Sequence, residues 1–287
     1  MEEPPRFLEP PPNEPGSEPP TYLPEPPSAP GVPGVPVSAP GNLAPVDDRP
    51  LIRWGMGDVL IGLLLWLVGG IIASVIVVIT VGGGTGSSTD LSELGLGAIA
   101  VSLVAGWPGF VGWPIMASWF KGQRSLARDF GLRIRFVDVG WGVLGGVAAL
   151  AMSVVAGVVW RLLSDAPEPS NAGFLPSRPS TATAIVLLLL VAVCTPIVEE
   201  LFFRGLFLRA VGRRFGLPWA VVASSIVFGL LHFQGQGVES LFISGVTAVY
   251  GALFALLVVR AGGRLGPSIV GHMVVNGVGV AAALFLT

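Results

Sequence analysis

Apolar positions along the chain gather into long runs, and the polar positions fall between them. From about residue 58 seven such runs follow one another, at about 58–81, 94–120, 139–163, 182–208, 217–235, 240–259 and 265–286. Each is close to the ~20 residues that a helix needs to cross a hydrocarbon core of ~30 Å. The pattern predicts an all-α fold, a polytopic transmembrane helix bundle of about seven spans occupying residues 51–287. Trp107-Pro108 and Trp113-Pro114 lie inside the second run and predict a kink there. The fifth run is short.

The polar breaks between runs orient the bundle. Arg49 and Arg53 precede the first run, and the loop 82–93 carries no basic residue. Lys121, Arg124, Arg128, Arg133 and Arg135 fill the next loop, and Arg161 and Arg178 flank the end of the third run. Arg209, Arg213 and Arg214 follow the fourth run, the fifth loop has none, and Arg260 and Arg264 occupy the sixth. Basic residues favour cytoplasmic loops, so the alternation predicts a cytoplasmic N-terminus and an external Thr287.

Composition sharpens this picture at the N-terminus. Residues 1–50 hold 17 of the 26 prolines and 8 of the 18 acidic residues. Proline fixes φ and removes a backbone donor, so this segment is expected to be a disordered, proline-rich cytoplasmic tail, outside the membrane domain. A solvated spacer is the simpler reading of the tail; a docking site for an unknown partner is the other. Only 12% of the chain is charged and the mean hydropathy is +0.76, which excludes a soluble enzyme and a nucleic-acid binder. The single cysteine, Cys194, allows no internal disulfide and no cysteine-based metal cluster.

Candidate chemistry rests on the few polar residues inside the apolar runs. Of ten acidic residues after the tail, eight lie in loops or at the edges of runs; the exceptions are Glu199 and Glu200, with Arg204 one turn on. Both histidines, His232 and His272, also lie within runs. A charge at the bilayer centre costs about 2.5–3.5 kcal/mol even on the mildest scale, so these groups are expected to converge inside the bundle. Glu200 and Arg204 are four residues apart and can pair, while Glu199 points about 100° away. His272 and Asn276 share a face, as do Phe228 and His232. The bland alternative for each is a packing clamp or an interhelical hydrogen bond. Ser224 and Ser225 read as small packing residues.

Two carboxylates, two imidazoles and a carboxamide suit amide hydrolysis by activated water. A carboxylate backed by His serves as general base, and His with Asn can donate to a tetrahedral oxyanion. Glu199, His232 and His272 could instead hold a divalent metal such as zinc, although no H-E-x-x-H occurs on one helix. A proton-coupled transporter and a non-catalytic scaffold or immunity protein are the alternatives from other classes. Helical rise places Glu200 ~12 Å, His272 ~10 Å, Asn276 ~16 Å and His232 ~22 Å from the cytoplasmic helix ends. That predicts a shared site in the cytoplasmic half to the middle of the bilayer, entered from the cytoplasm or the inner leaflet.

Three motifs in order, EExxxR at Glu199, Glu200 and Arg204, FxxxH at Phe228 and His232, and HxxxN at His272 and Asn276, resemble the CAAX protease and bacteriocin-processing (CPBP) family, relatives of the Ras-converting type II CAAX prenyl protease. The resemblance covers about 182–287. It implies an intramembrane endopeptidase in which Glu199 is the base, His232 its partner, and His272 with Asn276 the oxyanion donors. Glu200 and Arg204 would organise the site and Phe228 would contact substrate. The implied substrate is a membrane-associated protein or peptide, and the preferred mechanism requires no cofactor. Fifteen arginines to one lysine point to a GC-rich bacterial genome, hence a bacterial plasma membrane.

Overall fold

A computed structural model describes residues 52–81, 95–176, 179–233, 235 and 237–285. The expected tail at 1–50 and the expected loop at 82–93 lie outside these residues. The described residues form helices and no strand. In chain order they are α1 (Met56–Val81), α2 (Leu96–Lys121), the single turn α3 (Leu126–Asp129), α4 (Phe136–Leu163), α5 (Thr181–Phe215), α6 (Leu217–Leu230), α7 (Val238–Arg260) and α8 (Gly266–Phe285).

Among the described residues, six of these helices are long and apolar enough to cross a membrane: α1, α2, α4, α5, α7 and α8. The expected fifth span, 217–235, is shorter than its apolar run. α6 stops at Leu230 after 14 residues, a rise of ~21 Å against a ~30 Å core. Gly235 and Gly237, at φ of 96° and 95°, turn the chain back into α7. His232 therefore sits just beyond the helix end.

The outward faces are apolar. Leu64, Ile71, Val78, Val154 and Leu163 are each more than half exposed, a belt that suits lipid rather than water. Inside, small residues bring helices together. A Cβ on Gly109 of α2 would strike the Gly62 carbonyl of α1, and one on Gly142 or Gly146 of α4 would strike Val270 or Val274 of α8. Close backbone approach of this kind is how helices associate where lipid competes for apolar surface. The predicted kink in α2 is present: the helix loosens at Ala105–Gly106 and continues as a π-helical turn over Pro108–Gly112.

One end of the bundle is closed by a polar clasp assembled from the arginine-rich loops. Asp129 accepts from Trp54 Nε1 at 3.3 Å, Ser118 Oγ at 2.6 Å and the Gln123 amide at 2.9 Å. Asp58 accepts from Lys121 Nζ at 2.7 Å, Trp113 Nε1 at 3.2 Å and the Gly55 amide at 2.9 Å. Asp138 holds Arg264 through two bonds of 2.7 and 3.1 Å and accepts from the Arg135 amide. That pairing holds the Arg264 guanidinium above its ordinary range, chiefly through the hydrogen bonds it donates to Asp138. Arg209 donates to the Gly263 carbonyl, and Arg213 lies on the Trp54 ring and donates to its carbonyl.

Candidate active site

The site is built on a disturbance in α5. Thr195–Glu200 is ordinary α-helix between two π-helical stretches, Leu188–Cys194 and Leu201–Phe207. The first has a visible cause. In the wider spacing, the Thr195 amide bonds the Leu190 carbonyl five residues back. Pro196 has no N–H with which to continue the pattern, so the Val191 carbonyl is freed. Asn276 Nδ2 of α8 donates to it at 3.0 Å. A proline in α5 thus fixes the rotamer of a candidate site residue on another helix. π-helical turns often mark functional segments for this reason.

Glu200 and Arg204 pair as their spacing predicts, at 2.9 Å, and both side chains are fully buried. Arg204 also donates to the Gly251 carbonyl of α7 at 3.1 Å and lies 4.3 Å from the centre of the Phe228 ring. Gly251 makes this possible. A Cβ there would stand 3.0 Å from Ser225 Cα and 3.3 Å from Arg204 Nη2. Ser224 and Ser225 are buried, and Ser225 presses against Gly251, so both behave as packing residues.

His272 joins the pair. Its Nδ1 lies 3.1 Å from Glu200 Oε1, and its Nε2 lies 3.7 Å from Glu199 Oε2. Phe254 stacks on the imidazole at 5.2 Å and Phe228 meets it edge-on at 5.8 Å, which fixes the ring plane. A carboxylate only accepts, so Nδ1 donates to Glu200. Glu199 Oε2 and Glu200 Oε2 are buried without hydrogen-bond partners.

His232 takes a different position. Its Nδ1 lies 2.8 Å from the Phe228 carbonyl. A carbonyl also only accepts, so Nδ1 carries the proton and Nε2 is left as the accepting nitrogen. Its ring packs 4.8 Å from Phe228, as the FxxxH spacing predicts. The imidazole 3.7 Å from Glu199 is that of His272.

Glu199, His232, His272, Asn276 and Phe228 all line one cavity of about 850 Å³. Thr247, Tyr250 and Phe254 of α7 line it too, as do Glu168 to Leu175 of the connection between α4 and α5. None of these was a candidate in the sequence. The α7 residues lie in an unremarkable apolar run, and Glu168 reads as one more loop acid. The cavity leads away from the clasp, opposite to the entry expected from helix depths. Helical rise gives the depth of a residue but not which end of the bundle is plugged.

Residues 181–278 match the family described as type II CAAX prenyl endopeptidase Rce1-like. The match covers about a third of the chain. It holds every residue of the three motifs and spans α5 to most of α8, while α1 to α4 lie outside it. No curated protein and no solved structure matched the chain significantly.

The Rce1-like cluster is a poor fit to the metal set Glu199, His232 and His272. No group of three or more His, Cys, Asp or Glu among the described residues is near enough to hold a metal ion.

Proposed function

We propose that the chain is an intramembrane endopeptidase that hydrolyses a peptide bond of a membrane-associated protein or peptide with activated water. The single observation that carries this reading is the unpartnered Glu199 Oε2, at the cavity wall and 3.7 Å from His272 Nε2. A buried carboxylate oxygen without a donor is costly unless a ligand or water completes it.

In this reading a water between Glu199 and the His232 Nε2 acceptor attacks the scissile carbonyl and gives its proton to the Glu199–His232 pair. The carbonyl oxygen takes the negative charge, stabilised by donors on His272 and Asn276. The C–N bond then breaks, and the amine leaves with the proton relayed through Glu199. Val191 engages one hydrogen of the Asn276 amide, which leaves the second for the oxyanion. Glu200 and Arg204 hold His272 in place; Phe228 contacts substrate and packs against both histidines. With the short α6 counted as a seventh crossing, the N-terminus is cytoplasmic and the C-terminus external in the plasma membrane of a bacterium.

The closed clasp beneath the cluster disfavours a continuous pore, and hence the transporter alternative. Glu199→Gln is the test. Membranes carrying the variant should accumulate uncleaved membrane-protein substrates, read by comparative proteomics, while the protein inserts at normal levels. Normal turnover of those substrates in Glu199→Gln would remove the mechanism.

A further inference from the structure

The direction of the cavity names the side from which substrate arrives. Its inner end is the Glu199–His272 cluster, and its rim is the connection between α4 and α5, where Glu168, Ser170, Asn171 and Gly173 line it and are themselves exposed. Glu199 at the inner end keeps 17% of its side chain exposed, so the cavity carries solvent-sized space from rim to cluster. Toward the other end the path is filled. Leu201, Phe203, Leu206, Leu265 and Ile269 are each 1% exposed or less, and the carboxylates of the clasp lie beneath them.

The rim is anchored. Trp160 Nε1 donates to the carbonyls of Ala166 and Pro167 at 3.1 and 3.2 Å, and Leu175 is buried with Leu187, Val280 and Leu284. A Cβ on Gly157 would strike the Glu168 carboxylate, so the connection lies flat on the end of α4. Between rim and cluster the walls are apolar, formed by Leu103, Leu150, Phe242, Val246, Val275 and Val280. The volume, about 850 Å³, falls in the ~300–1,000 Å³ range of small-ligand pockets. It takes a short extended peptide and not a folded domain.

We infer that substrate enters from the face opposite the arginine-rich loops, as an apolar extended segment threaded past residues 168–173. With those loops cytoplasmic by their charge, the substrate is an extracytoplasmic or outer-leaflet segment of a membrane-associated polypeptide. This rests on the endopeptidase reading for the word substrate, but the direction of access does not.

Single-cysteine variants in a Cys194→Ala background test it, with a membrane-impermeant cationic methanethiosulfonate as the probe on sealed vesicles of known orientation. Ser170→Cys reports the rim, Arg133→Cys the opposite face, and Val246→Cys and Val275→Cys the chamber. Both chamber cysteines should react from the Ser170 side and lose labelling when that side is blocked. Reaction from the Arg133 side, or only with a lipid-soluble reagent, overturns the inference. Two chamber positions guard against misfolding of either variant. Labelling is independent of proteolysis, so a silent Glu199→Gln assay with Ser170-side labelling would defeat the endopeptidase reading alone.

Discussion

Two buried polar clusters sit in one bundle, and they are finished to different standards. In the clasp every oxygen of Asp58, Asp129 and Asp138 accepts at least one hydrogen bond, from donors on separate helices and loops. In the Glu199–Glu200–Arg204–His272 cluster, one oxygen of each glutamate and the Arg204 Nε have no partner. The clasp also encloses no candidate catalytic residue, whereas the cluster opens into the cavity. Satisfied groups hold a fold together; Glu199 Oε2, the unsatisfied atom whose residue lines the cavity, is kept because something else completes it. Burial of charge alone does not separate the two. The state of the carboxylate oxygens does, although Arg209 Nε in the clasp also lacks a partner.

That contrast can be broken, and the largest effect should come from the cluster's own clamp. Arg204→Leu leaves Glu200 a buried charge with His272 as its remaining partner and frees the Gly251 carbonyl, which should cost about 3 kcal/mol. Thermal unfolding in detergent should show it as a loss of most folded protein; an unchanged midpoint would mean the pair is ornamental. Asp129→Ala comes next, at about 3 kcal/mol, because it orphans the Gln123 amide and the donors of Ser118 and Trp54. Cleavage per folded molecule should nonetheless stay normal, and a selective loss of turnover would erase the distinction between the regions.

Gly251→Ala should cost about 2 kcal/mol by overpacking, since the new methyl stands against Ser225 and Arg204. It tests whether a backbone contact on α7 positions the arginine; an unaltered unfolding midpoint with unaltered cleavage would show that α7 yields. The smallest stability change belongs to Glu199→Gln. Replacing an unpaired carboxylate with a neutral amide should shift stability by less than about 1 kcal/mol, with cleavage lost. A large destabilisation instead would place Glu199 with the clasp, as a structural carboxylate.

Much of this was legible in the residues. Apolar runs gave six long helices and the fold class because lipid leaves a spanning segment few alternatives to a helix. The i, i+4 spacing of Glu200 and Arg204 gave their ion pair, and that of Phe228 and His232 their ring contact, because both are local on one strand of chain. Other features had no local signal. Asp58, Asp129 and Asp138 look like ordinary loop acids until three loops close over them. His272 faces Glu199 and Glu200 because α8 packs at a particular rotation against α5, and nothing within either helix specifies that rotation.

The sequence by itself determined which segments cross the membrane, which polar residues were too costly to face lipid, and which of them could pair within one helix. These follow from hydrophobicity and helical periodicity, which act over a few residues. Only the tertiary structure decided that α6 ends before His232, that His272 comes within 3.7 Å of Glu199, and that the cavity leads away from the arginine-rich loops. Those depend on close contacts between helices distant in the chain, at Gly251 against Ser225 and at Gly142 and Gly146 against α8. There a single methyl group sets the approach of two backbones, and no periodicity in either segment records it.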